Sequence, residues 1–313
     1  MNFYNSTKTV KGKFYRAQIA AALLLFIFGT APALTSRAQD TGPQSNFYAI
    51  TGNGLKDTSW LFGTYHLVKS SYLKEVPEVV RAFNKANAVA VELVLDSTKT
   101  ATAASMGLLQ NNTLTDLLDK PFKDSLDKEL SSALGIGIEQ VNQLKPVNVA
   151  ITLSMVYLVT DLKSPLQKYS GPMLDAYFAE SGRLAGKRVT GFETIEEQMH
   201  LLFNTASDEE QVKQLQVFLR NKNDMISQGN ELLSNWFKHD LEKMYSVSEK
   251  GLAVFGNEND FLNKRNNRWM TMLPGLLKKE PQFIAVGALH LAGPSGLVKQ
   301  LQDLGYTLTP IKL

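Results

Sequence analysis

Four short runs of apolar residues punctuate the chain, each closed by polar or glycine-containing turns: Ser59–Thr64, Ala88–Val94, Arg188–Phe192 and Gln282–Gly287. Their apolar character is nearly continuous rather than alternating, which predicts strands buried on both faces, as in a parallel sheet. Phe47–Thr51 precedes the first run across Asn53-Gly54, a pair suited to a tight turn, and predicts a hairpin start. Helical periodicity fills the gaps. Tyr72–Lys85 predicts a helix leading from the first buried strand to the second, and Leu297–Tyr306, stopped at Gly305, leads to a last strand at Thr307–Lys312. This order predicts an α/β fold, a mostly parallel or mixed central sheet flanked by helices.

Two stretches break the rhythm. Residues 105–170 are mixed helical material, and 207–250 opens on the capping-box sequence Ser207-Asp-Glu-Glu210 before a long amphipathic region. There Leu232, Leu233, Trp236, Phe237, Leu241, Met244 and Tyr245 fall on one helical face, with His239 opposite them as a solvated position. Both stretches are expected to form a helical cap inserted into a single domain spanning 39–313.

The first 38 residues stand apart. Lys8, Lys11, Lys13 and Arg16 precede an apolar core at 19–28, and Ser36-Arg37-Ala38 offers small residues for cleavage, the layout of a secretory signal. The apolar core falls short of the roughly 20 residues a membrane helix needs. Export to the periplasm or medium is therefore expected, with no stable membrane span after cleavage. Removing this segment leaves 28 basic and 30 acidic groups, so the basic balance of the whole chain belongs to the signal. No basic stripe interleaved with aromatics is left to suggest nucleic acid. The chain has no cysteine, which excludes a thiolate metal site, a cysteine nucleophile and disulfide staples.

Candidate chemistry gathers where the predicted strands end, the place where parallel sheets bind ligands. Two of the four histidines repeat G-x-x-H-L: Gly63 with His66, and Gly287 with His290. Glu92 interrupts the apolar run "AVAVEL", where a carboxylate needs a cation or a strong donor, and Arg265 or Arg268 would supply one. Glu193 follows the third run, either at the site or as a helix cap. Imidazole and carboxylate suit a catalytic divalent metal, which activates water; histidines satisfied by hydrogen bonds at a sheet edge are the other reading. His200 stands four residues after Glu196 on a predicted helix, a spacing that suits a ligand pair, but a helix-surface contact is the expected reading. Ser70 and Ser71 lie near His66, but the chain lacks a G-x-S-x-G elbow, which disfavours a serine hydrolase.

These motifs resemble the TraB/PrgY/GumN family, related to the Tiki-type metalloproteases. The resemblance runs from about Tyr48 to Ile311 and rests on "LFGTYHL", "VAVEL", "GFETIEEQ", "KRNNRWM" and "FIAVGALHLAGPSGLVKQLQDLGYTLTPI". It implies an EreA/ChaN-like α/β architecture with His66, Glu92 and His290 holding a divalent ion, manganese or cobalt favoured and zinc possible. Glu193 would ligate or act as base, and Arg265 would orient a carboxylate or stabilise an oxyanion. The expected function is a metal-dependent hydrolase, a peptidase, acting on a peptide or small molecule. The alternative is a protein that captures a peptide or haem at the same site without turnover.

Overall fold

A computed structural model describes residues 45–95, 97–250 and 259–313; the expected signal segment 1–38 lies outside them. The described chain divides into two compact units.

The larger unit, 45–95 with Leu162–Thr194 and Ser227–Leu313, carries a six-stranded mixed sheet. Its strands are β1 (Phe47–Gly52), β2 (Ser59–Thr64), β3 (Ala88–Leu93), β4 (Arg188–Glu193), β5 (Gln282–Gly287) and β6 (Tyr306–Pro310), in the order β4-β3-β5-β2-β1-β6. The four predicted buried strands are mutually parallel, and β1 runs antiparallel to both β2 and β6. β5 is buried along its whole length and β3 along all but its last residue, the burial that their unbroken apolar runs require. β6, at the edge, alternates Tyr306 and Leu308 inward with Thr307 and Thr309 outward. The β1–β2 hairpin turns through Asn53 and Gly54, at φ 45° and 78°.

Pro77 divides the helix expected over Tyr72–Lys85. A 3-10 turn covers Ser70–Lys74, and the α-helix begins at Pro77, whose ring suits a first helical turn but not an interior. The amphipathic run predicted over 207–250 is also broken. One helix ends at Phe237, the next begins at Leu241, and His239 between them takes a left-handed φ of 57°. His239 is therefore a half-buried turn residue rather than a solvated helix position.

One face of the sheet holds a cluster of phenylalanines. Phe178 lies 4.7 Å from Phe283 and 5.9 Å from Phe62 between ring centroids, and Phe83 lies 5.5 Å from Phe283. Burying each such ring contributes about 2–3 kcal/mol. The cluster fixes the helix Leu174–Leu184 on the sheet, and Gly182 lets it approach closely, since a Cβ there would stand 3.0 Å from Val89 Cγ2.

The second unit, Asp96–Asp161 with Ile195–Ile226, is helical. Its centre is the helix Pro146–Thr160, apolar on nearly every side, with Leu153 and Ala150 fully buried. Glu129 accepts from Lys222 at 2.8 Å and from the Tyr157 hydroxyl at 2.6 Å. Ser207 caps the next helix by accepting the Glu210 amide proton, as its sequence predicts. Among the described residues no helix is long and apolar enough to cross a membrane.

Candidate active site at the strand ends

Because β2, β3, β4 and β5 are parallel, their carboxyl ends share one edge of the sheet. Glu92 stands near the end of β3 and Glu193 at the end of β4. His66 follows β2 by two residues, and His290 sits in the 3-10 turn Ala288–Leu291 after β5. The helix Lys264–Met270 brings Arg265 to them.

The two G-x-x-H glycines matter for space rather than for bending. Neither has a positive φ. A Cβ on Gly63 would stand 2.9 Å from Ala288 Cα, so its absence lets the turn carrying His290 settle against β2. A Cβ on Gly287 would stand 3.1 Å from Glu92 Oε1 and 3.3 Å from His66 Nε2. Both functional groups thus face the bare side of Gly287.

Arg265 is the hub. Its Nε donates to Glu193 Oε1 at 2.8 Å and its Nη2 to Glu193 Oε2 at 2.9 Å. Nη2 also donates to Glu92 Oε2 at 2.7 Å, and Nη1 donates to the Phe261 carbonyl at 3.1 Å and to His290 Nε2 at 3.0 Å. A guanidinium has five N–H donors, and all five are engaged within the protein. The expected direct contact of Arg265 with a substrate carboxylate or oxyanion has no donor left in this arrangement. Glu193 is equally committed: its Oε1 also accepts from Arg268 at 2.9 Å and from Trp269 Nε1 at 3.0 Å. That places Glu193 in the cluster.

Glu92 retains more capacity. Its Oε1 accepts the Gly287 amide proton at 2.7 Å and keeps a second lone pair. Burial alone would raise the Glu92 pKa, but Arg265 foremost, then the charged His66 ring and the Gly287 N–H, hold it below the usual carboxylate range. His290 is driven the other way. Burial and the facing Arg265 guanidinium push its pKa well below the ordinary histidine value, so the ring is neutral.

His66 is oriented by a residue that the sequence reading did not select. Asp175, in the first turn of the helix Leu174–Leu184, accepts from His66 Nδ1 at 2.9 Å through Oδ2 and from the Thr64 hydroxyl at 2.6 Å through Oδ1. The backbone pins the two segments together, with Leu174 N donating to Val68 O and Ser70 N to Pro172 O. Burial would lower the His66 pKa, but the Asp175 charge and hydrogen bond outweigh it and raise the ring to about 9. His66 also keeps 22% of its side-chain surface exposed, against 3% for His290. Nothing in the local sequence of Asp175 marks it: it stands 109 positions from its partner, in the first turn of an ordinary amphipathic helix.

The remaining candidates lie elsewhere. His200 is exposed on the helix Ile195–Phe203 of the other unit. The Ser71 hydroxyl accepts the Ser170 amide proton and serves the loop pairing.

The residue types suit a divalent ion, and both imidazoles have the Nδ1 support that metal ligands commonly have, from Asp175 and Asn266. The arrangement does not suit it. Among the described residues no three such side chains converge as a ligand group, and the Arg265 guanidinium takes a lone pair from both Glu92 and His290.

Among known protein families, the TraB/PrgY/gumN family profile matches residues 46–310. No curated protein and no solved structure matches the chain.

Proposed function

The chain belongs to the TraB/PrgY/gumN family, and we propose that within it this protein is a hydrolase, acting on peptide bonds, in which His66 and Glu92 move the protons of an attacking water. One observation carries the reading. Arg265, Glu193 and His290 spend their donors and acceptors on one another, whereas His66 Nε2 and Glu92 Oε1 keep capacity and face the same side of Gly287.

The chemistry follows from that asymmetry. A water over Gly287 bonds through oxygen to the substrate carbonyl carbon as one of its protons moves to Glu92. The carbon–nitrogen bond then breaks as the His66 Nε2 proton passes to the departing amine, and the Glu92 proton returns to His66. Asp175 holds the imidazole by Nδ1, so that Nε2 is the nitrogen offered to substrate. Acid–base assistance of this kind supplies about 10²–10⁴-fold in rate. Arg265 acts through Glu92, keeping it ionised and in place.

A divalent ion held by His66, Glu92 and His290 is the rival, favoured by the Nδ1 support of both imidazoles. It requires Arg265 to withdraw. The basic and apolar head supports an exported setting, periplasmic or secreted, for either reading.

The test is incubation of the purified protein with a mixed peptide library, read by mass spectrometry, beside His66→Ala and Asp175→Asn. The wild type should yield fragments, and both folded variants should do so at least a hundredfold more slowly. Peptide retained but uncut, or a Soret band without cleavage, would replace hydrolysis with capture.

A further inference from the structure

Asn266 follows Arg265 on the helix Lys264–Met270 and is almost fully buried, at 1% exposure. Its two amide protons go to carbonyls, His290 O at 3.1 Å and Ser295 O at 2.8 Å from Nδ2. Turning the amide over would set its oxygen against those carbonyls, so Oδ1 is the atom that faces His290 Nδ1 at 2.6 Å. Oδ1 only accepts, and the ring proton must therefore sit on Nδ1. Nε2 is then bare, which is what Arg265 Nη1 needs as its acceptor at 3.0 Å. The Trp269 ring, 4.2 Å away between centroids, closes over the imidazole.

We infer that Asn266 is a positioning residue: it locks His290 in the Nδ1–H tautomer and, through Arg265, aims Glu92 at the bare side of Gly287. The order of the contacts supports this. Asn266 grips the side chain and main chain of His290, His290 fills one of the five Arg265 donors, and Arg265 holds the outer oxygen of Glu92. With the tautomer reversed, an N–H would point at the guanidinium, and Arg265 would lose an acceptor inside a buried cluster.

Only the kinetic consequence of this inference rests on the hydrolase reading; the tautomer itself does not. The test is a long-range proton–nitrogen correlation spectrum of the protein labelled with ¹⁵N-histidine, with the His290 signals assigned by His290→Gln. The folded wild type should show a protonated Nδ1 and a bare Nε2 at His290, and a protonated Nε2 there overturns the inference. Asn266→Ala takes the acceptor from Nδ1 while Arg265 still faces Nε2, so the Nδ1 proton should lose its hydrogen-bonded shift and exchange faster with water, and an unchanged Nδ1 proton overturns the inference as well. If the alanine protein fails to fold, Arg265→Met decides: Asn266 is then the remaining partner that fixes the ring, Nδ1 should stay protonated, and a bare Nδ1 overturns the inference. Where a substrate is in hand, Asn266→Ala should lower kcat roughly 10- to 100-fold with KM little changed. A failure of hydrolysis altogether leaves the tautomer result standing, so the two ideas fail separately.

Discussion

Replacing Arg265 by methionine keeps much of the side-chain volume and removes the charge. It deletes five hydrogen bonds of 2.7–3.1 Å and leaves Glu92 and Glu193, with side chains 9% and 2% exposed, without their shared cation. Removing one partner of a buried ion pair costs about 3–5 kcal/mol, a large part of a total stability of about 5–15 kcal/mol. Arg268 stays on Glu193, which argues for the lower end, about 3 kcal/mol. At about 2–4 °C per kcal/mol, the melting temperature should fall by roughly 6–12 °C. The sign with pH follows from Glu92. In the wild type its pKa is depressed, so the contribution is present above the unfolded value and is lost as pH falls through the folded value. Without Arg265, burial dominates and lifts Glu92 above its unfolded value, so the variant gains stability as pH falls. The deficit should be widest at pH 7–8 and narrow toward pH 4. Urea unfolding followed by circular dichroism at pH 8, 6 and 5 measures it. A deficit below about 1 kcal/mol, or one that does not change with pH, refutes the reasoning.

Three further outcomes are expected. In Asp175→Asn, the His66 titration should drop from about 9 to the ordinary histidine value or below; the stabilisation it brings is complete below the unfolded value and lost as pH rises through about 9. An NMR titration of the ring checks this, and a wild-type midpoint near 6.5 contradicts it. Gly287→Ala puts a methyl 3.1 Å from Glu92 Oε1 and 3.3 Å from His66 Nε2, which should cost about 1–3 kcal/mol and suppress cleavage more than stability accounts for. Trp236→Phe removes the N–H that donates to Gly63 O at 2.9 Å and should cost about 1–3 kcal/mol in a melt, through an unsatisfied buried carbonyl.

The strands were legible because burial on both faces writes an uninterrupted apolar run. Predicted and observed bounds coincide at Ser59–Thr64 and Gln282–Gly287 and differ by a residue or two elsewhere. The helix breaks were partly legible: Pro77 announces one, while the turn at His239 depends on a non-glycine residue taking positive φ, for which the pattern gives no warning. The site residues could be found because polar groups in apolar strands need a reason, and Glu92, Glu193, His290 and Arg265 do meet. Asp175 was invisible for the opposite reason: an acidic residue early in a helix is ordinary, and it is tertiary contact, the packing at Gly182 and the phenylalanine cluster with the backbone bonds of Leu174 and Ser70, that carries it to His66. Composition also could not show that Arg265 would spend every donor inside the cluster, which changes it from a substrate contact to a support for Glu92.

The measurement that tests the central claim most directly is the cleavage rate of a peptide found in the library, for protein dialysed against a strong chelator and then supplied with manganese, cobalt or zinc. A rate that survives chelation and collapses in Asp175→Asn is the result predicted for a site balanced by Arg265 and worked by His66 and Glu92. A rate that vanishes with the chelator and returns with one of the ions would contradict it.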